Sequence, residues 1–206
     1  GGFFASQDAD YSMEDDGDYW TWTVDEVESV LNGDTAKIVS EYYDIRAQGD
    51  MQENPKKNVL RIAKSSAKIA EEQGLEQATV EAIIERGSRQ LLDARKKRPE
   101  TYIDTTLYVD WNSMMAEAFL EAGRVLERDP LIESALRTLD RIWDTGWSRE
   151  RGLVHRLGDE PGRDWGLLSD QVFYAKASLF AYEITGENRH LGRAQQSMDY
   201  ALHHLW

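Results

Sequence analysis

Apolar positions at helical spacing fill two stretches of the chain, Trp111–Trp143 and Gln171–Trp206, in matching order about sixty residues apart. Met115, Phe119, Leu120, Ala122 and Leu131 correspond to Ala175, Leu179, Phe180, Tyr182 and Leu191 at an offset of 60. Leu139 corresponds to Met198 and Ile142 to Ala201 at an offset of 59. Each stretch reads as two antiparallel helices joined by a turn. One such pair cannot bury its apolar face alone, so a repeated pair predicts hairpins stacked as in a solenoid or toroid.

Upstream, the pattern is shorter-ranged. Tyr19-Trp20-Thr21-Trp22 alternates aromatic and polar residues in a strand-like way. Thr23 followed by Asp25 and Glu26 has the form of a capping box, predicting a helix with Val24, Val27, Val30 and Leu31 that ends at Asn32-Gly33. Asp34 should cap a second helix through Tyr43. Arg46 to Lys57 reads as an exposed polar loop, Ser65–Gln73 as a short helix closed by Gly74, and Thr79–Lys97 as a longer helix stopped by Pro99. The basic run Arg95-Lys96-Lys97-Arg98 suits that helix's C-terminal dipole. Asp144–Ser169 is a Gly- and Arg-rich connection with Leu153-Val154-His155 as a strand candidate. Strand content is low, and the fold class is all-α.

Composition narrows the functional classes. A hydrophobic fraction of 41% supports a packed core, and the absence of cysteine removes disulfides, thiolate metal sites and CxxC redox chemistry from these residues. That absence fits a cytoplasmic protein. No 18-residue apolar run exists, so no membrane span is expected. The net charge of −14 is concentrated in residues 1–50, where thirteen acids face Lys37 and Arg46. Such a surface repels nucleic acid and anionic lipid. The dense run of Asp8, Asp10, Glu14, Asp15, Asp16 and Asp18 lacks the alternating ligands and distant Glu of a Ca²⁺ loop. No HExxH or spaced His/Asp cluster is present either, so no metal or other cofactor is assigned. The Gly1-Gly2-Phe3-Phe4 start and the Leu205-Trp206 end read as cuts from a longer polypeptide.

Several segments carry a resemblance. Gly2-Phe3-Phe4-Ala5-Ser6-Gln7-Asp8-Ala9-Asp10, Tyr19-Trp20-Thr21-Trp22-Thr23, Glu53-Asn54-Pro55-Lys56-Lys57-Asn58-Val59-Leu60, Arg95-Lys96-Lys97-Arg98-Pro99, Asp110-Trp111-Asn112-Ser113-Met114-Met115 and Tyr182-Glu183-Ile184-Thr185-Gly186 resemble, in order and spacing, the YyaL-type thioredoxin-domain-containing family related to spermatogenesis-associated protein 20. The resemblance implies a thioredoxin-like domain followed by a helical toroid similar to six-hairpin glycosidases and sugar epimerases. This chain would be a fragment of that toroid: a partial (α/α) toroid of helical hairpins with short strand-like loop segments. Its parts would be an acidic loop with short helices (1–60), hairpins (61–143), a connecting loop (144–169) and a last hairpin (170–206). The chain departs from the family at Asp104-Thr105-Thr106, Ser113 and Ser169-Asp170-Gln171, where the family has further acids, a lysine or a glycine.

Candidate chemistry follows from that frame. Asp8, Asp10, Asp104, Asp110 and Asp170 supply carboxylates for acid–base work on a sugar, and His155 is a loop histidine suited to be an epimerase base. Asp110 and Asp170 could equally cap the helices they precede. Trp20, Trp111, Trp147 and Trp165, with Asn112, fall at loops or helix starts where rings could stack on a sugar or plug gaps between hairpins. The expected partners are a small carbohydrate and the thioredoxin-like domain of the same parent chain, with self-association through any uncovered apolar face. A non-catalytic helical scaffold is the alternative function.

Overall fold

The computed structural model describes residues 1–15, 17–158 and 164–206. Asp16 of the acidic run and residues 159–163 of the long connection lie outside the described residues. In chain order the elements are β1 (Ser6–Gln7), α1 (Val24–Val30), α2 (Gly33–Tyr43), α3 (Ser66–Gln73), α4 (Gln77–Arg95), β2 (Ile103–Asp104), β3 (Leu107–Tyr108), α5 (Val109–Val125), α6 (Asp129–Gly146), β4 (Trp147–Ser148), β5 (Gly152–Leu153), β6 (Arg156–Leu157), α7 (Leu168–Thr185) and α8 (Asn188–His204). Helices hold 57% of the chain and every described strand is two residues long, which makes the fold all-α. The strands pair only as β1–β2, β3–β6 and β4–β5. Among the described residues no helix is long and apolar enough to cross a membrane.

The chain divides into two compact units: Gln7–Tyr102, and Gly1–Ser6 together with Ile103–Trp206. In the first, Thr23 and Glu26 form the expected reciprocal capping box at the start of α1. Ser65 caps α3, and Gly74 closes it in the left-handed region at φ 66. Val27, Leu31, Val39, Trp22 and Leu91 form one buried cluster, and Ile38, Ile69, Val80 and Ile84 another. Gly87 lets α4 approach α2 closely, since a Cβ there would meet Val39 Cγ2 at 2.5 Å. Leu92 of α4 is 40% exposed.

The basic run also differs from expectation. The helix stops at Arg95, and Arg98 turns inward, donating to the Asp18, Tyr19 and Thr21 carbonyls with its guanidinium 3.9 Å from the Trp22 ring centre. Burial holds Arg98 below its usual pKa. It ties down a loop whose carbonyls no helix or sheet satisfies.

The second unit contains the two hairpins, α5/α6 and α7/α8, with α7 packed against α5, α6 and α8. Its core joins Val109, Leu120, Leu139, Ile142, Leu153, Val154 and Tyr174 with the small residues Ala116, Ala135, Ala177 and Ala181. The buried faces repeat at slightly different offsets from the apolar letters. Val109, Ser113, Ala116 and Leu120 of α5 occupy the places of Asp170, Tyr174, Ala177 and Ala181 of α7, an offset of 61. Met115 and Leu179 are 41% and 43% exposed. In the second helices, Ala135, Thr138 and Ile142 match Ala194, Ser197 and Ala201 at 59.

Candidate functional site

The hairpin unit brings three of the expected residues into one group. His155 Nδ1 lies 3.1 and 3.2 Å from the two carboxylate oxygens of Asp170. The Asp110 backbone N–H donates to Asp170 Oδ1 at 3.0 Å, and one ligand atom from each of Asp110, His155 and Asp170 lies within 4.8 Å of the others. Sixty residues separate the two aspartates, and the hairpin repeat places both at the N-terminal ends of neighbouring helices.

Local structure fixes the histidine from several sides. Gly152, at φ +73, permits the β4–β5 turn, and its bare Cα faces Tyr200, whose ring a Cβ would meet at 2.5 Å. The buried Gln171 side chain accepts from Leu153 N–H, and Val154 bridges Trp165. His155 N–H then donates to the Asp164 carbonyl at 2.7 Å, and its own carbonyl accepts from Val109 N–H at 2.9 Å. The loop histidine is therefore held against the start of α5 by main-chain bonds on both sides.

Electrostatics separate the two aspartates. Asp170 is wholly buried. Desolvation pushes its carboxyl up from the usual 3.8 to about 6, against the lowering effect of the His155 hydrogen bond, while the nearby Asp110 charge pushes it further up. Asp110 is half-buried, and its carboxylate accepts from the adjacent Trp111 N–H at 2.8 Å; the N-cap position of α5 is Tyr108, which makes no side-chain cap bond, so Asp110 does not cap the helix as its position suggested. The His155 side chain is 23% exposed, and among the described residues its Nε2 has no hydrogen-bond partner. Above about pH 6 the buried carboxylate can accept from Nδ1–H, which leaves Nε2 as a base facing outward.

Aromatic rings adjoin this group. Tyr108 lies 5.1 Å from the His155 ring and 4.8 Å from Trp111, whose indole is 52% exposed. Tyr108 was not singled out from the sequence; its place two residues before Asp110-Trp111 was the only signal. Asn112 is buried, and its amide is occupied by backbone: it accepts from Phe3 N–H and donates to the Phe3 and Tyr108 carbonyls.

The other candidates occupy separate surroundings. Trp147 stacks on Trp143 at 4.5 Å, and Trp165 lies under the Arg151 guanidinium at 3.9 Å; both pack on the hairpin core. The Asp104 carboxylate accepts from Thr106, which holds its pKa below the usual value. Asp8, Asp10 and Trp20 belong to the Gln7–Tyr102 unit. There Asp10 accepts from Gly17 N–H, Trp20 donates to the Asp8 carbonyl, and Arg95 sits 5.0 Å over the Trp20 ring. That unit also holds the largest cavity described, about 1020 Å³, lined by residues such as Leu31, Lys37, Glu41 and Lys64 and by none of the candidate residues. Size alone is a weak guide to chemistry here, because among the described residues Asp170 is the carboxyl most displaced from its ordinary pKa.

No family model matches the chain. Over 232 aligned positions it is 28% identical to spermatogenesis-associated protein 20 of Homo sapiens and 26% identical to the same protein of Mus musculus. This chain is homologous to part of that protein. Each alignment covers 97% of the present chain and 29% of the relative, so the chain spans less than a third of the length of the curated relatives it matches.

Proposed function

We propose that the hairpin unit is a sugar-directed acid–base domain of epimerase type, within a polypeptide that also carries a thioredoxin-like domain. His155 is the base, Asp170 positions it, and Trp111 with Tyr108 forms the stacking surface. The single observation behind this reading is the wholly buried Asp170 carboxylate bonded to His155 Nδ1, with Nε2 unpartnered among the described residues and the Tyr108 ring between His155 and Trp111 in contact with both. A buried carboxylate that fixes the imidazole and stabilises its protonated form is a recurrent way to make histidine an effective base. Glycoside hydrolysis fits these two aspartates less well. Their ligand atoms are within 4.8 Å, too close for the roughly 6.5–9.5 Å of an inverting pair, and a retaining pair, at roughly 5–5.5 Å, would need an accessible carboxylate where Asp170 is sealed from any substrate. The toroid architecture of the longer polypeptide is part of the same proposal, supported by the stacked hairpins and by the resemblance described above.

The test is proton exchange. Aldoses incubated with the protein in D₂O should exchange the hydrogen beside their carbonyl carbon, followed by NMR, and His155→Gln should abolish the exchange. No exchange with any mono- or disaccharide, in this chain or in its longer parent, would reject the reading.

A specific observation favours the scaffold alternative. Trp111, Met114 and Met115 form an exposed apolar stripe on α5, and Leu168, Val172 and Leu179 form another on the adjacent α7. Such a face suits protein contact. Concentration-independent monomers in light scattering would count against it.

A further inference from the structure

We propose that Asp110, His155 and Asp170 bind a divalent first-row transition-metal ion, of the Zn²⁺ or Mn²⁺ class. The inference uses residues of the acid–base group and goes beyond that reading, since cation binding requires no sugar chemistry.

The geometry comes first. Two ligand atoms each about 2.1 Å from one ion, at angles of 90–110°, lie roughly 3.0–3.4 Å apart. The His155 Nδ1 to Asp170 oxygen distances of 3.1 and 3.2 Å fall in that window. The third ligand atom is within 4.8 Å of both, a separation that a rotation of the partly exposed Asp110 side chain can close.

Charge provides an independent argument. Two carboxylates converge here, one of them wholly buried, and among the described residues no lysine or arginine forms a hydrogen bond or ion pair with either. Elsewhere in the same unit, Asp140 is met by both Arg189 and Arg193. A wholly buried carboxylate beside a half-buried one, faced by one imidazole, lacks the compensation that buried charge ordinarily requires, and a divalent cation supplies it.

The surrounding bonds would hold such ligands in place. Asp110 N–H orients Asp170, main-chain bonds on both sides orient His155, and Gln171 fixes the strand before it. Three protein ligands, one of them 23% exposed, leave coordination positions for water or substrate, as in catalytic rather than structural sites. One nitrogen and two carboxylates suit Zn²⁺ or Mn²⁺ better than Ca²⁺, which takes 6–8 oxygens. On binding, the Nδ1–H bond breaks while Nε2 takes up a proton from solvent, so the imidazole stays neutral and the freed Nδ1 lone pair goes to the metal.

The experiment is isothermal titration of the 206-residue chain, stripped with EDTA, using ZnCl₂, MnCl₂ and CaCl₂ separately. One saturable site per chain is expected for Zn²⁺ or Mn²⁺, at least ten-fold weaker for Ca²⁺. Asp110→Asn and His155→Gln should each weaken it ten-fold or more while leaving the far-ultraviolet circular dichroism unchanged. A paired His203→Gln/His204→Gln variant should bind as the parent does. Absence of a one-to-one site, or binding unaffected by Asp110→Asn and His155→Gln, overturns the proposal. Proton exchange on sugars that persists in EDTA, in a protein without a metal site, overturns this inference alone; metal binding without exchange overturns the acid–base reading alone.

Discussion

The two hairpins begin with the same residue type and use it in opposite ways. Asp110, the second residue of α5, is half-buried and accepts from the adjacent backbone N–H; Asp170, sixty residues later and the third residue of α7, is wholly buried and bonded to His155, with its carboxyl pushed up to about 6. The difference lies in what each helix touches. Helix α7 is packed on three helices and presents Asp170, Gln171, Tyr174, Ala175, Ala177, Ser178 and Ala181 to the interior. Helix α5 presents Leu120 and Ala116 but leaves Trp111, Met114 and Met115 exposed. A sequence repeat can thus preserve architecture while a one-residue shift of the buried face, Val109 standing where Asp170 does, decides which aspartate becomes chemically unusual.

The largest test of that contrast is in the core. Leu120 and Ala181 occupy equivalent buried places. Leu120→Ala should cost about 2–5 kcal/mol by leaving a cavity, and Ala181→Leu about 1–3 kcal/mol by overpacking the tighter α7 surroundings. Urea unfolding of both variants measures the asymmetry; equal and small losses would mean the two faces are packed alike.

Next in size is the pH dependence of Asp170. Its folded pKa of about 6 exceeds the ordinary 3.8, so the folded state retains a proton that the unfolded chain has released. This contribution is fully present below pH 3.8 and is lost as pH rises through 6, amounting to at most about 3 kcal/mol. Asp170→Asn keeps an acceptor for Asp110 N–H and should flatten that part of the stability–pH curve, read from urea midpoints between pH 4 and 7.

His190 sharpens the comparison of the second helices, because it stands fifty-nine residues after the half-buried Leu131. It is fully buried, and neither ring nitrogen has a hydrogen-bond partner. Burial foremost, then Arg189 and Arg193 against Asp140 and Glu187, keeps its pKa below 6.5. The stability of the neutral ring is therefore present above pH 6.5 and falls as pH drops through the lowered folded value. His190→Leu should remove the acid sensitivity and raise stability by about 1–3 kcal/mol, seen in thermal melts at pH 5 and 8.

The smallest effect is expected at Asp110. Asp110→Asn should change stability within about 0.5 kcal/mol and, by removing a minor cause of the raised Asp170 carboxyl, narrow the pH dependence only slightly, in contrast to Asp170→Asn. A large loss by the same urea assay would break the contrast between the two aspartates.

Much of the local structure was legible in the letters. Thr23 with Glu26, Ser65 and Gly74 declare helix ends by chemistry confined to a few residues, and the structure has those caps. Four helices in two hairpins follow from apolar periodicity in the same way. Periodicity was less reliable for individual side chains in the first helix pair, where the letters repeat at 60 but burial repeats at 61; in the second pair Ile142 and Ala201 match at 59 both as letters and in burial. Arg98 looked like one of four dipole-complementing cations and proved to be the clamp on three loop carbonyls.

What the sequence determined by itself, then, is the helical class, the duplicated hairpin and most helix ends, because each depends on interactions within about one turn of the chain. The tertiary structure alone decided that Asp110, His155 and Asp170 meet, that Tyr108 joins them and that Asn112 is consumed by Phe3 and Tyr108. Those outcomes depend on desolvation and on contacts across up to 109 residues, which no local pattern encodes.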